Sequence, residues 1–521
     1  MTSFNQPYPS ARSPVCAANL VATSQPLAVQ AGVDAMRRGG NAVDAALATA
    51  ITLTVVEPNN NGAGSDAFAI VWDGETLTGL NASGRSPAGW TPERFAGHDS
   101  MPHRGWDAVT VPGAVSAWVA LSERFGRLPF RDLFNDAIRY ADAGFQVGPK
   151  TGFYWRFAEE MYRGFEHFAE HFLPAPSPGE LFRRPDLAAT LAEIAETRGE
   201  SFYRGSLAER IEAASIAAGG AMRRSDLASH RADWVEPLAQ DYRRVTLHEI
   251  PPNGQGLGAQ IALGILQHLD LAPLDSVPGV HRELEAMKIA IRAAFDHFAD
   301  PAAMKLSPEE LLDDGSLKRA AQKIGERATP MPPVALPTSR DTVYLTAADA
   351  GGMMVSMIQS NYEGFGSGIV VPGTGIAMQN RGCGFVLEPG HPNRVGPGKR
   401  PYHTIIPGFV TRDGAPALSF GVMGGHMQHQ GHVQMVRRIF DHGQNPQAAS
   451  DAPRWHIYPD FSVGLERGFD AQVAKGLAER GHRVRFEPLE PVFGGAQLIL
   501  KTESGYVGGS DHRKEGLAAG F

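Results

Sequence analysis

Cysteine is nearly missing from this chain: Cys16 and Cys383 are the only two in 521 residues. That excludes a disulfide framework and any cysteine-rich metal site, and it fits a reducing compartment. Long apolar runs are missing too. The longest, Ala45 to Val56, spans about 12 residues and contains three threonines, too short to cross a bilayer. No Lys/Arg run exceeds a few residues, and the formal net charge is -8. Nucleic acid and membrane surfaces are therefore not expected partners. The opening residues, MTSFNQPYPSARSP, show no charged start followed by an apolar block. No secretory signal is expected, and a cytoplasmic location is the default.

Several catalytic signatures are absent as well. There is no Walker-type GxxxxGK[ST], no HExxH and no GxSxG elbow; Ser367 sits in GFGSG with Phe365 two positions before it. The Asn253–Gly258 run, NGQGLG, lacks the full dinucleotide fingerprint and reads as a loop packed on helices. His426, His429 and His432 recur every three residues and would drift around a helix, which suits hydrogen-bonding histidines better than a metal site. There is no internal repeat.

What is present is an ordinary soluble balance, 43% hydrophobic and 20% charged, with 59 glycines and 38 prolines. The length suits two intimate domains or one large α/β body. Residues 20–60 carry helical spacing around a Gly39-Gly40 break, followed by the loop EPNNNGAGSDAF and a strand over Phe68–Trp72. Residues 113–330 read as helices divided by Pro/Gly breaks. The window RATPMPPVALPTSRD then holds Pro330, Pro332, Pro333 and Pro337, an extended segment that cannot join a central sheet. Immediately after it, Thr342–Ala348 and Met353–Ser360 flank an Asp349–Gly352 turn and predict a β-hairpin. The remainder reads as strands and turns with one helix after Gly424-Gly425. On composition alone, the proline-rich boundary is a surface loop between domains.

From about residue 18 onward the chain resembles the gamma-glutamyltransferase (glutathione hydrolase) family. The resemblance is carried by Gly39-Gly40-Asn41-Ala42-Val43-Asp44-Ala45-Ala46, Glu57-Pro58 with its glycine-rich loop, and Thr110-Val111-Pro112-Gly113. It continues through Phe365-Gly366-Ser367-Gly368, Pro397-Gly398-Lys399-Arg400-Pro401, Gly424-Gly425, Asp451-Ala452-Pro453-Arg454 and Ser510-Asp511-His512-Arg513. It implies a four-layer αββα N-terminal-nucleophile hydrolase sandwich made as a precursor. By the resemblance, the chain cuts itself between Asp341 and Thr342 into a large subunit, 1–341, and a small catalytic subunit, 342–521, which stay associated.

A threonine hydroxyl is a poor nucleophile near neutrality, but a free α-amine, with a reference pKa of about 7.7–8.0, can take its proton. Cleavage before Thr342 creates that amine. The resemblance gives oxyanion stabilisation to the backbone at Gly424-Gly425, where glycine permits close approach. Asn361 matches an asparagine near the substrate amine, or else completes strand-end hydrogen bonds. No cofactor or metal is implied. The partners are a small-molecule amide and a water or amine acceptor.

Departures from the family concern the substrate. Its carboxylate-binding arginine falls on Ser83, with Arg85 two residues on. Its acid for the α-amine falls on Gly384, and a nearby polar residue becomes Arg381. Its paired serines become His403-Thr404, and its second site threonine becomes Gln359. Together Arg85, Arg381 and His403 suggest an anion pocket. The short Phe385–Lys399 segment predicts an open site that favours hydrolysis over transfer. Three readings follow: a γ-glutamyl-type amide hydrolase or acyltransferase, an amidohydrolase of a small anionic amide such as oxamate, and a non-catalytic binding protein.

Overall fold

A computed structural model describes residues 11–334, 342–488 and 490–521. Two seven-stranded antiparallel sheets lie face to face. The first runs Leu517–Gly520, Leu20–Thr23, Val343–Ala348, Met354–Ser360, Asp66–Trp72, Leu77–Asn81, Asp233–Val235. The second runs Val15–Ala17, Gly505–Ser510, Gly495–Thr502, Ala415–Met423, Gly408–Arg412, Val245–Glu249, Leu238–Tyr242. Each sheet takes strands from both sides of residue 342. Phe68, Ile70, Tyr344, Ile358, Phe409 and Met423 are among the apolar side chains packed between them. Helices cover both outer faces. Ala42–Val56 and Ala114–Phe125 share a core with the first sheet, and Gly256–Gln267, Val277–His297 and Met427–Val436 share one with the second. The architecture is the four-layer αββα sandwich.

Local chemistry explains the strongest motif. Asn41 caps the Ala42–Val56 helix: its Oδ1 accepts from Val43 N and Asp44 N, while the Asp44 carboxylate accepts from Asn41 N. Every residue of that helix is buried, so its apolar run is a helix enclosed on all sides rather than a membrane span. Glycine is required at 40, where a Cβ would meet Ala35 O at 2.8 Å.

Three sequence expectations change in detail. Leu20–Thr23 is a strand, not the start of a helix, and the first helix is Pro26–Arg37. Beyond Met427–Val436, the C-terminal part adds helices Pro446–Asp451 and Ala471–Glu479. NGQGLG leads into Gly256–Gln267, with Gln255 as its cap residue. His429 and His432 are separated by use: the first meets Gln255 and the second Glu249. Among the described residues no helix is long and apolar enough to cross a membrane.

Candidate active site

The hairpin register decides what surrounds Thr342. Val343 pairs with Gln359, and Ser360 pairs with Asp66 on the next strand. Side chains alternate faces along a strand. Tyr344 and Ala348 point into the space between the sheets, so Thr342 shares their face. Its Oγ1 lies 3.2 Å from Ser360 Oγ, and Thr342 is only 1% exposed. Across the sandwich, Thr346 Oγ1 meets Ser419 Oγ at 2.7 Å, and Tyr344 packs on Gly421. A further step of two residues leads from Tyr344 to Thr342, and from Gly421 toward the Gly424-Gly425 turn.

That turn needs glycine. Both residues have positive φ, 127° and 59°, and a Cβ on Gly424 would meet Gly494 Cα at 2.8 Å. Their carbonyls are occupied: Gly424 O accepts from Met427 N at 3.0 Å and Gly425 O from Gln428 N at 3.2 Å. The carboxamide of Gln255 holds the turn from below. Its Nε2 donates to Gly425 O at 2.8 Å and to Thr404 O at 2.5 Å. Its Oε1 accepts from Tyr402 Oη at 2.9 Å and faces His429 Nδ1 at 2.5 Å. Two carbonyl partners fix which end of the amide is nitrogen, so His429 carries its proton on Nδ1.

Contacts link Thr342 to the glycine turn in a chain. Thr342 touches Ser360, whose Oγ accepts from Tyr362 N at 2.8 Å. Arg381 lies over the Tyr362 ring, 4.0 Å from its centroid. Arg381 Nη1 donates to Thr404 Oγ1 at 2.7 Å, and Thr404 joins Gly425 through Gln255. Asn361 borders this chain of contacts: its Oδ1 accepts from Ser65 Oγ at 2.8 Å, and its buried Nδ2 has no partner among the described residues. Glu57, whose Oε1 accepts from Asn60, fixes the loop whose Asn60 carbonyl accepts from Asn361 N. Burial pushes the Glu57 carboxyl up to about 7.

His403 is wholly buried with Asp66, its Nε2 3.1 Å from Asp66 Oδ2. Burial first, then the neighbouring Arg381 and Arg400 charges, hold the imidazole far below its usual range, so it is neutral. Burial likewise raises the Asp66 carboxyl to about 7 against the pull of Arg381 and the Gly84 and Gly113 N–H groups.

Two expected site residues stand apart. Gln359 is turned to the opposite face of its strand. There its Nε2 donates to Ala50 O and Asn61 Oδ1, and its Oε1 accepts from Trp118 Nε1. Arg85 is half exposed, and its guanidinium pairs with Asp300 at 2.8 Å and Gly398 O. Of the three groups expected to form an anion pocket, Arg85 is outside, His403 is uncharged and Arg381 alone brings positive charge. Asp341 lies outside the described residues. Ser360, Tyr362, Asp66 and Gln255 were not singled out from sequence. Strand parity was the signal for the first: it sits opposite Thr342 in the hairpin.

A behind-the-site cluster holds the second sheet's end. Arg513 makes a two-point pair with Glu466, and Arg454 joins Asp511 at 2.5 Å. Arg454 also donates to Phe493 O at 2.7 Å, next to the Gly494 that packs on Gly424.

The gamma-glutamyltranspeptidase family model matches residues 28–521. The glutathione hydrolase-like YwrD proenzyme of Bacillus subtilis is 35% identical over 517 residues, covering 96% of this chain and 98% of that protein. The oxamate amidohydrolase proenzyme of Klebsiella pneumoniae is 35% identical over 513 residues, covering 95% and 97%. The crystal structure of cephalosporin acylase from Bacillus halodurans superposes with a TM-score of 0.96 at 46% identity, covering 100% of this chain and 99% of that one. Fold and full-length similarity agree: this chain is an enzyme of the gamma-glutamyltranspeptidase family of N-terminal-nucleophile hydrolases.

Proposed function

We propose that Thr342 is the nucleophile of an amide hydrolase that first cuts its own chain between Asp341 and Thr342, giving subunits 1–341 and 342–521. The observation that carries this is the unbroken chain of contacts that runs from Thr342 through Ser360, Tyr362, Arg381, Thr404 and Gln255 to Gly425. The freed α-amine takes the Thr342 hydroxyl proton as Oγ1 bonds to the substrate carbonyl carbon. The N–H groups of the Gly424-Gly425 turn stabilise the oxyanion. The C–N bond then breaks, and the proton passes from the ammonium to the leaving nitrogen. Water next attacks the Thr342 ester, gives a proton to the amine and releases the acid. Ser360 orients the attacking oxygen.

The first substrate reading is a γ-glutamyl-type amide such as glutathione, supported by the family and the YwrD relative. The short Phe385–Lys399 segment is tied down by Lys399, which donates to Pro392 O and Arg394 O; this supports an open site and water as acceptor. A second reading is a small anionic amide such as oxamate, supported by the Klebsiella relative and by the buried Arg381. Purified enzyme assayed for ammonia release from oxamate and cysteinylglycine release from glutathione separates the two. A Thr342→Ala chain is expected to remain uncut and to turn over neither. Activity retained by that variant defeats the Thr342 assignment.

A further inference from the structure

Arg381 carries a buried charge that touches no carboxylate among the described residues. The residue is 1% exposed. One terminal nitrogen, Nη1, is spent on Thr404 Oγ1. Nε and Nη2 have no hydrogen-bond partner among the described residues. These two nitrogens lie along one edge of the guanidinium and form the side-on fork that accepts both oxygens of a carboxylate.

Three other arginines in the same molecule show that fork filled. Arg184 grips Asp186 through Nε at 3.0 Å and Nη2 at 2.8 Å. Arg292 grips Asp296 at 2.8 and 2.7 Å. Arg513, as sealed from solvent as Arg381, grips Glu466 at 2.7 and 2.5 Å. Leaving a buried guanidinium without an anion is costly, and burial already weakens the hold of Arg381 on its proton.

The acids near Arg381 are committed elsewhere. Asp66 accepts from Gly84 N and Gly113 N and faces His403. Glu363 is held by Arg104, His103 and Asn380. Gly384 offers no side chain to a substrate ammonium, and an ammonium set beside a free guanidinium is repelled. Two residues, Tyr362 and Ser360, link Arg381 to the nucleophile by contact, a separation suited to a short acyl chain.

We infer that the Arg381 fork receives the distal carboxylate of the acyl group, and that the substrates are monoamides of short dicarboxylic acids without an α-ammonium. The inference rests on Thr342 as the acyl acceptor, and it deepens the second substrate reading.

Equilibrium binding tests the fork without requiring turnover. Isothermal titration of purified wild-type protein would use oxalate, succinate and glutarate, with butyrate and L-glutamate as controls. The best dicarboxylate is expected to bind at least about 30-fold tighter than butyrate and tighter than L-glutamate. Arg381→Met is expected to erase that preference while leaving butyrate binding within about threefold. Arg381→Lys, which keeps the charge without the fork, is expected to lose about tenfold on the dicarboxylate. A wild-type protein that binds butyrate or L-glutamate as tightly as every dicarboxylate overturns the inference, whether or not the variants fold. So does an Arg381→Met protein that keeps the preference. A failed Thr342 assignment reads differently: dicarboxylates still bind, but no acyl ester appears on the small subunit by mass spectrometry.

Discussion

Arg513 and Arg381 are both sealed inside the molecule, yet their surroundings are opposite. Around Arg513, Glu466, Asp511 and the carbonyls of Ser450 and Ala452 satisfy the guanidinium. Around Arg381, one hydroxyl and one aromatic face do the same for only part of it. The first is architecture: it ties the Asp451–Arg454 and Ser510–Arg513 segments together behind the oxyanion turn. The second is a site, because unmet buried donors hold a place for a ligand. Residue type and burial alone do not distinguish them; hydrogen-bond satisfaction does.

Substitutions can break this contrast. The largest effect is expected at Asp511. Its carboxyl is held far below the usual range, mainly by Arg454 and Arg513 working against burial. Asp511→Asn strands both arginines and should lower unfolding stability by about 3–5 kcal/mol in urea titrations. A loss under about 1 kcal/mol would mean the cluster is not the architectural element.

Next is Gln255→Met, which keeps volume but frees the Gly425 and Thr404 carbonyls. It should lower kcat about 100-fold with little change in KM, because misplaced oxyanion donors matter only in the transition state. A proportional rise in KM would instead mark Gln255 as a binding residue.

Arg381→Met is expected to leave stability unchanged or raise it by about 1–2 kcal/mol, since it removes an unpaired buried charge. A loss as large as that of Asp511→Asn would erase the difference between the two regions.

The smallest effect concerns pH. The Glu57 carboxyl is raised to about 7 by burial, so between its unfolded value of 4.5 and 7 the native protein holds a proton that the unfolded chain has released. Its contribution is fully present below 4.5 and is lost as pH rises through 7. Asp511 has the opposite sign: its contribution is present above 3.8 and is lost as pH falls toward its depressed folded value. Glu57→Gln should therefore flatten the fall in Tm between pH 5 and 8 by a few degrees; an unchanged slope removes Glu57 as its source.

Much of the fold was legible because its signals are local. The hairpin that follows Thr342 and the Gly424-Gly425 turn follow from backbone chemistry that each residue carries with it. The surroundings of Thr342 were less legible, because parity assigns side chains to faces. A shift of one position separates Gln359, facing the helices, from Ser360, facing Thr342. The setting of Arg85 was not legible for a related reason: sequence proximity to Ser83 says nothing of the Asp300 that pairs with it. Gln255 gave no sequence signal, since its four partners come from chain segments about 150–175 residues away.

The decisive measurement is N-terminal sequencing of fully active purified enzyme, with intact masses of its fragments. Two polypeptides, the smaller beginning Thr-Val-Tyr-Leu, are the predicted result. A fully active enzyme that is a single uncut chain, or one whose new terminus begins elsewhere, would contradict Thr342 as an amine-activated nucleophile.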